Sequence, residues 1–193
     1  MKFTLTEQER NEIREMYGTI TESPLRYQTF KNVDYNTFVT ILKGIKAPVT
    51  TENVAFMYAW RECENSLGVT ANFYCNNPFN TTWDIDPKGV VFCSEQSKMY
   101  CRKNSAGVKS YKNINYGIEA TVKTILGGKY PNLLNALRNS ETNKMNCLQI
   151  AQSLKGDLNT WGTEDNNVIS KCKSYINGST PAPANIVQVT GCK

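Results

Sequence analysis

One carboxylate, Glu64, stands where a general acid would have to stand. It closes the segment 51–64 (TENVAFMYAWRECE), in which Val54, Phe56, Met57, Trp60 and Cys63 recur at the spacing of an amphipathic helix. At about 100° per residue, Glu64 falls between Met57 and Trp60 on the apolar side, while Glu62 falls on the opposite side and reads as a solvated charge. Burial among apolar neighbours disfavours an ionised carboxyl, and the negative end of a helix disfavours it further. Both effects help Glu64 keep a proton near neutral pH, the state from which it can donate one. The competing reading ends the helix at Cys63 and leaves Glu64 in water.

The residues that follow supply polar partners. Asn77-Pro78-Phe79-Asn80-Thr81-Thr82-Trp83 is broken by proline and suits a turn feeding an extended stretch. Amides and hydroxyls beside an aromatic ring are the combination that holds sugar hydroxyls and N-acetyl groups. Taken alone, the same stretch also reads as a surface loop capped by its own Asn and Thr side chains.

Taken in order, AWRECE, NPFNTT, GVKSYKNINYGIEATVKTILGGKYPNLLNALRN and LNTWGT resemble the lysozyme-like glycosidase domains of tailed bacteriophages. Such domains occur in endolysins and in virion-associated proteins that open peptidoglycan. The resemblance covers about residues 51–163 and rests on the shared order of motifs that are individually weak. It implies an α+β, mainly α fold, with a lysozyme-like helical body, a small β-wing and a groove between them. It also implies Glu64 as the catalytic acid. Asn77, Asn80, Thr81, Thr82, Tyr111, Tyr130 and Trp161 match the remaining motif positions and are the expected substrate-binding residues. The implied substrate is bacterial peptidoglycan, cut at the β-1,4 bond between N-acetylmuramic acid and N-acetylglucosamine, with no cofactor and no metal. The implied setting is a phage virion or an infected bacterial host. The chain departs from the pattern at Asn65, where glycine is usual, and in a cysteine-containing insertion between Trp83 and Val108. The rival expectation is a catalytically inactive, lysozyme-like virion structural or glycan-binding module.

A second carboxylate is not evident; Asp84, Asp86 and Glu95 are near in sequence only. The chain has seven cysteines and no histidine. The missing histidine excludes Ser-His-Asp and Cys-His catalysis and the HExxH zinc site. No CxxC pair suggests a zinc ribbon. Cys93 and Cys101 are placed to form a local disulfide, with Cys75 as competitor, whereas Cys63 and Cys147 lie on apolar faces and read as buried thiols. A fully reduced chain is the alternative.

The elements that must position these groups are mostly helical. A capping box, Thr6-Glu7-Gln8-Glu9, opens a helix stopped by Gly18, so residues 1–20 read as a docking segment for other virion proteins or as part of the domain's own packing. Asp34 is the expected cap of a helix with Phe38, Ile41 and Leu42 inward, ended by Gly44 and Pro48. Gly89–Cys93 and Met99–Cys101 read as the two strands of the wing. Ile118, Val122 and Ile125 line a helix ended by Gly127-Gly128, and Pro131 starts the next with Leu133, Leu134 and Leu137. Met145, Leu148, Ala151 and Leu154 mark another, and Thr163 is the expected cap of a last one with Val168, Ile169, Cys172 and Ile176. Residues 21–177 thus form the expected catalytic domain, and 178–193 a Pro-containing linker with a strand-like tail that is a second candidate contact for virion proteins. The 193 residues are 40% hydrophobic, enough for a core, and no apolar run reaches the ~20 residues of a membrane span. The N-terminus lacks the apolar stretch of a secretory signal. A net charge of +5, dispersed along the chain, favours an anionic wall and gives no nucleic-acid footprint.

Overall fold

The computed structural model describes residues 32–65, 76–103 and 106–177. The expected N-terminal helix, the C-terminal linker and tail, Cys75 and Cys192 lie outside them. The described residues form seven helices and one two-stranded antiparallel sheet, a mainly helical α+β arrangement. In chain order these are α1 (Asn32–Gly44), α2 (Thr51–Asn65), β1 (Met99–Lys103), β2 (Lys109–Tyr111), α3 (Ile114–Leu126), α4 (Pro131–Asn139), α5 (Cys147–Gln152), α6 (Asp157–Trp161) and α7 (Asp165–Ile176).

Helix α2 is the axis of the body. It packs against α1, α5 and α7, and every residue from position 53 to 61 is buried. A helix apolar on one stripe lies on a surface; one buried all round runs through the core. The amphipathic reading of this segment is therefore corrected: α2 has no wet face over its middle turns. Its start is fixed by Asn53, whose Nδ2 donates to the carbonyls of Pro48 (2.8 Å) and Leu137 (2.9 Å), tying α2 to the end of α4. Phe38, Ile41 and Leu42 of α1 are fully buried beside it, as expected, but α1 begins at Asn32, so Asp34 lies in the first turn and is not the cap.

The wing differs from expectation in its first strand. Residues 87–97 form successive turns, with Val90 N donating to Pro87 O, Ser94 N to Val91 O and Ser97 N to Ser94 O. The Asp86 carboxylate accepts from Lys98 N and the Ser97 hydroxyl, folding the segment back on itself. Those backbone donors are then engaged locally and cannot form a ladder. Strand β1 pairs instead with β2, Met99 opposite Tyr111 and Lys103 opposite Lys109, with a register irregularity between. Ile85, Met99, Tyr111 and Ala120 make a small separate core beneath the wing.

The later helices begin and end where local chemistry dictates. Asn113 caps α3 by accepting from Tyr116 N, and Gly127 caps its end. Pro131 opens α4, whose first turn meets the Asp157 carboxylate: Leu133 N donates to Oδ2 at 2.8 Å. That acid comes from α6, a short helix the periodicity did not suggest. Asn146 and Gln149 form a reciprocal capping box on α5, which is shorter than the expected helix because Met145 precedes the cap and Leu154 follows the end.

Among the described residues there are two disulfides, Cys93–Cys101 in the wing and Cys147–Cys172 between α5 and α7. The first matches one of the expected pairings; the second corrects the reading of Cys147 as a buried thiol. Cys63 is buried, and burial pushes its thiol up to about 11, which makes it a poor nucleophile.

One glycine is obligatory for packing. A Cβ on Gly117 would lie 1.7 Å from the Asn76 carbonyl oxygen, so α3 and the polar loop touch backbone to backbone there. Gly117→Ala is expected to force them apart and cost about 1–3 kcal/mol, read by denaturant unfolding. An unchanged midpoint would show that the close approach is dispensable. Seven cysteines less the four bonded leave at most three thiols, so titration of the denatured, unreduced protein should find three or fewer. Breaking the Cys147–Cys172 loop with paired serines should lower stability by about 2–4 kcal/mol.

Candidate active site around Glu64

Helix α2 continues through Glu64 to Asn65, which places the carboxyl at the helix's C-terminal end, where the body meets the polar loop. Glu64 is half-buried. Three donors converge on it. The Asn80 amide donates to Oε2 at 2.9 Å, the Trp60 indole N–H donates to Oε1 at 3.2 Å, and the Thr163 hydroxyl hydrogen-bonds Oε1. Asn80 also reaches the Glu64 carbonyl oxygen at 3.3 Å, which fixes which end of its amide faces the acid.

Desolvation is the largest influence on this carboxyl and raises its pKa above the ordinary 4.5; the hydrogen bonds from Thr163, Asn80 and Trp60 and the charge of Arg61 oppose it without cancelling it. The physical cause is the wall behind Glu64. Trp60 contacts Phe79 (ring centroids 4.2 Å apart) and meets Trp161 edge-on at 4.9 Å, and Trp161 in turn touches Tyr130 at 4.9 Å. An aromatic wall excludes water, and a carboxyl against it is easier to keep neutral.

The loop is held by its own side chains. Asn77 is buried; its Nδ2 donates to Thr81 O and Lys109 O, both at 2.8 Å, and its Oδ1 accepts from Thr81 N at 2.9 Å. Thr81 is buried, and its hydroxyl pairs with that of Thr124. Tyr111 is fully buried, with its hydroxyl donating to Trp83 O at 2.7 Å, and burial raises its pKa. These three residues therefore shape the loop from inside, and their polar atoms are engaged within the protein. Asn80, at φ +52°, turns its amide onto Glu64, and Thr82 is exposed. Left-handed φ is tolerated by asparagine better than by most residues, which fits Asn80 to this corner.

Trp161 is anchored by its indole N–H on Phe79 O at 2.8 Å, next to Asn80. Tyr130 is buried beside it, at the start of α4. Glu64, Asn80, Trp161 and Tyr130 are thus gathered at one place, with Asn77, Thr81 and Tyr111 behind the loop that serves it. Thr163 belongs to the same place and was misassigned from sequence. The last helix starts at Asp165 with Glu164 at its cap, so Thr163 is released from capping and its hydroxyl turns to Glu64. Its position directly after Trp161-Gly162, in the LNTWGT motif, was the available signal.

Glu62 also differs from expectation. It is not a solvated charge: its carboxylate accepts the Tyr175 hydroxyl at 2.7 Å and pairs with Lys171 at 3.3 Å, joining α2 to α7. The core explains this, since α7 covers the side of α2 that a surface helix would have exposed. Of the candidate second acids, Asp86 is engaged by the wing, while Asp84 and Glu95 are exposed. Among the described residues no group of three or more acidic, Cys or His side chains is arranged to hold a metal, and no helix is long and apolar enough to cross a membrane.

Comparison with protein families, curated proteins and solved structures gives no match to this chain.

The raised pKa has a thermodynamic consequence. Below the ordinary value of 4.5 both folded and unfolded chains hold the Glu64 proton, and the site exacts no penalty. As pH rises through the higher folded value, the unfolded chain is already ionised, and the native state must either retain its proton or bury a charge, so stability falls. Relative to wild type, Glu64→Gln is therefore expected to gain stability between pH 4 and pH 8, whatever constant offset the amide brings. Melting curves across that range check it; a difference that is flat or falls with pH would contradict it.

Proposed function

We propose that the chain is a peptidoglycan-degrading glycosidase of lysozyme-like fold that uses Glu64 as its general acid. The observation that carries the reading is a half-buried carboxyl at a helix end, with desolvation outweighing the donors that favour its ionised form. In the proposed reaction, Glu64 protonates the glycosidic oxygen between N-acetylmuramic acid and N-acetylglucosamine. The bond from the anomeric carbon to that oxygen breaks, and positive charge develops on the sugar ring. The ionised Glu64 left behind is stabilised by the three donors already aimed at it, so they favour the acid's product state. Water, or a hydroxyl of the sugar itself, then bonds to the anomeric carbon and gives its proton to Glu64, restoring the acid, with the substrate N-acetyl group assisting in place of a second carboxylate. Asn80 orients the acid, and Thr82 is the loop residue open to sugar. Action on the cell wall from a virion or within an infected host fits this chemistry.

The second reading is a lysozyme-like module kept for structure or glycan binding. The same three hydrogen bonds favour it, because they also bracket α2, the loop and the start of α7 together.

Mass spectrometry of products from purified peptidoglycan separates the two and identifies the closing nucleophile, since hydrated and anhydro ends differ by one water. Wild type should release muropeptides, and Glu64→Gln should lower the rate on the order of 10²–10⁴-fold while staying folded. No release by wild type, or equal release by both proteins, would remove the proposal. Thr163→Val takes away a donor that favours the ionised form, so the alkaline limb of activity should move to higher pH in that variant. A limb that stays in place or moves down would show that Thr163 does not tune the acid.

A further inference from the structure

We infer that Trp83, between Thr82 and Asp84 on the loop that brings Asn80 to Glu64, is a sugar-stacking subsite, with a β-1,4-linked N-acetylhexosamine chain as its ligand. The inference rests on the glycosidase reading and names a contact that the resemblance did not. The chain has three tryptophans. Trp60 is fully buried, and Trp161 is half-buried with its N–H engaged, so both form the wall behind the acid. Trp83 is the exposed one of the three, at 38% for the whole residue.

Its backbone is nevertheless fixed on both sides. Trp83 N donates to the Thr81 hydroxyl at 3.3 Å, and Trp83 O accepts the buried Tyr111 hydroxyl at 2.7 Å. The ring is backed by the end of α3, where a Cβ on Gly127 would come within 3.2 Å of Cζ3. Trp83 is thus a partly exposed aromatic residue on a fixed backbone, which loses little backbone freedom when a ligand covers it. On either side of it in sequence, Thr82 and Asp84 are exposed and offer a hydroxyl and a carboxylate. A hexosamine ring presents an apolar face of C–H groups and a rim of hydroxyls and amide, which suits an aromatic face flanked by polar groups.

The position follows from the chain. Asn80 holds Glu64 at 2.9 Å, and residues 80–83 are without helical structure, so Trp83 lies at most about 11 Å along the chain from the Asn80 Cα. A glycan bound at Glu64 and running along this loop would meet Trp83 within that distance. The engagement of Asn77, Thr81 and Tyr111 inside the protein also leaves Thr82, Trp83 and Asp84 as the outward members of this stretch.

The test uses the full chain carrying Glu64→Gln, so that ligand is bound and not cut, with the β-1,4 tetramer of N-acetylglucosamine as probe in isothermal titration calorimetry. Adding Trp83→Ala should weaken binding about tenfold, and Trp83→Phe, which keeps a ring face, should recover most of it. Melting temperature should change little in either variant, because the ring lies at the surface. In otherwise wild-type chain, Trp83→Ala should raise KM on peptidoglycan with kcat nearly unchanged. Tetramer affinity within twofold of the parent in Trp83→Ala would overturn the subsite. If that happens while Glu64→Gln still abolishes cleavage, the subsite alone fails. If the parent binds neither the tetramer nor purified peptidoglycan, the subsite and the glycosidase reading fall together.

Discussion

The bracket on the Glu64 carboxyl is the interaction through which the rest of the structure is organised. Its three donors come from three separate places: Trp60 one turn earlier on α2, Asn80 from the polar loop, and Thr163 from the junction between α6 and α7. A carboxyl in water needs no such arrangement. One placed against Trp60, Phe79 and Trp161 must have hydrogen bonds, or the cost of desolvation falls on the fold. The bracket leaves the acid in an intermediate condition, with donors enough to tolerate a charge and burial enough to prefer a proton.

That condition is maintained from some distance. The loop can present Asn80 only because Asn77 closes it from within and Gly117 lets α3 come against the Asn76 carbonyl. Trp161 and Thr163 both lie inside the loop closed by Cys147–Cys172, so the disulfide limits how far that side of the bracket can move. Asp157, in the same loop, caps α4 and links this segment to the Tyr130 end of the aromatic wall. On the other side of α2, Glu62 with Tyr175 and Lys171 holds α7 in register, so the two neighbouring acids serve different purposes through different surroundings.

Helices were legible wherever an apolar period and a terminator coincided. Gly127 and Pro131 marked the boundary between α3 and α4, and Phe38, Ile41 and Leu42 marked the inward face of α1. What the sequence hid depended on tertiary context. The pattern around Val54 and Trp60 suggested one buried stripe, but coverage by α1, α5 and α7 buries the helix all round, which is also why Glu62 was misjudged. Residues 89–93 have the composition of a strand, yet they lie in a series of turns, where Val90 N donates to Pro87 O and Val91 O accepts from Ser94 N. Thr163 looked like a cap because threonine before an acidic residue usually is one. In the polar loop, sequence identified the stretch that meets Glu64, but not which of its side chains face inward; Asn77 and Thr81 could be assigned only once Lys109 and Thr124 were seen to meet them.

The proposed chemistry turns on the protonation state of one side chain. Carbon-13 NMR of the full chain with labelled glutamate carboxyls, assigned by the resonance that Glu64→Gln removes, follows that proton directly through a pH titration. A Glu64 midpoint clearly above the ordinary 4.5 is the result the structure predicts, because desolvation outweighs the bonds from Thr163, Asn80 and Trp60. A midpoint at or below 4.5 would show that the donors win, leaving an ionised carboxylate with no proton to give.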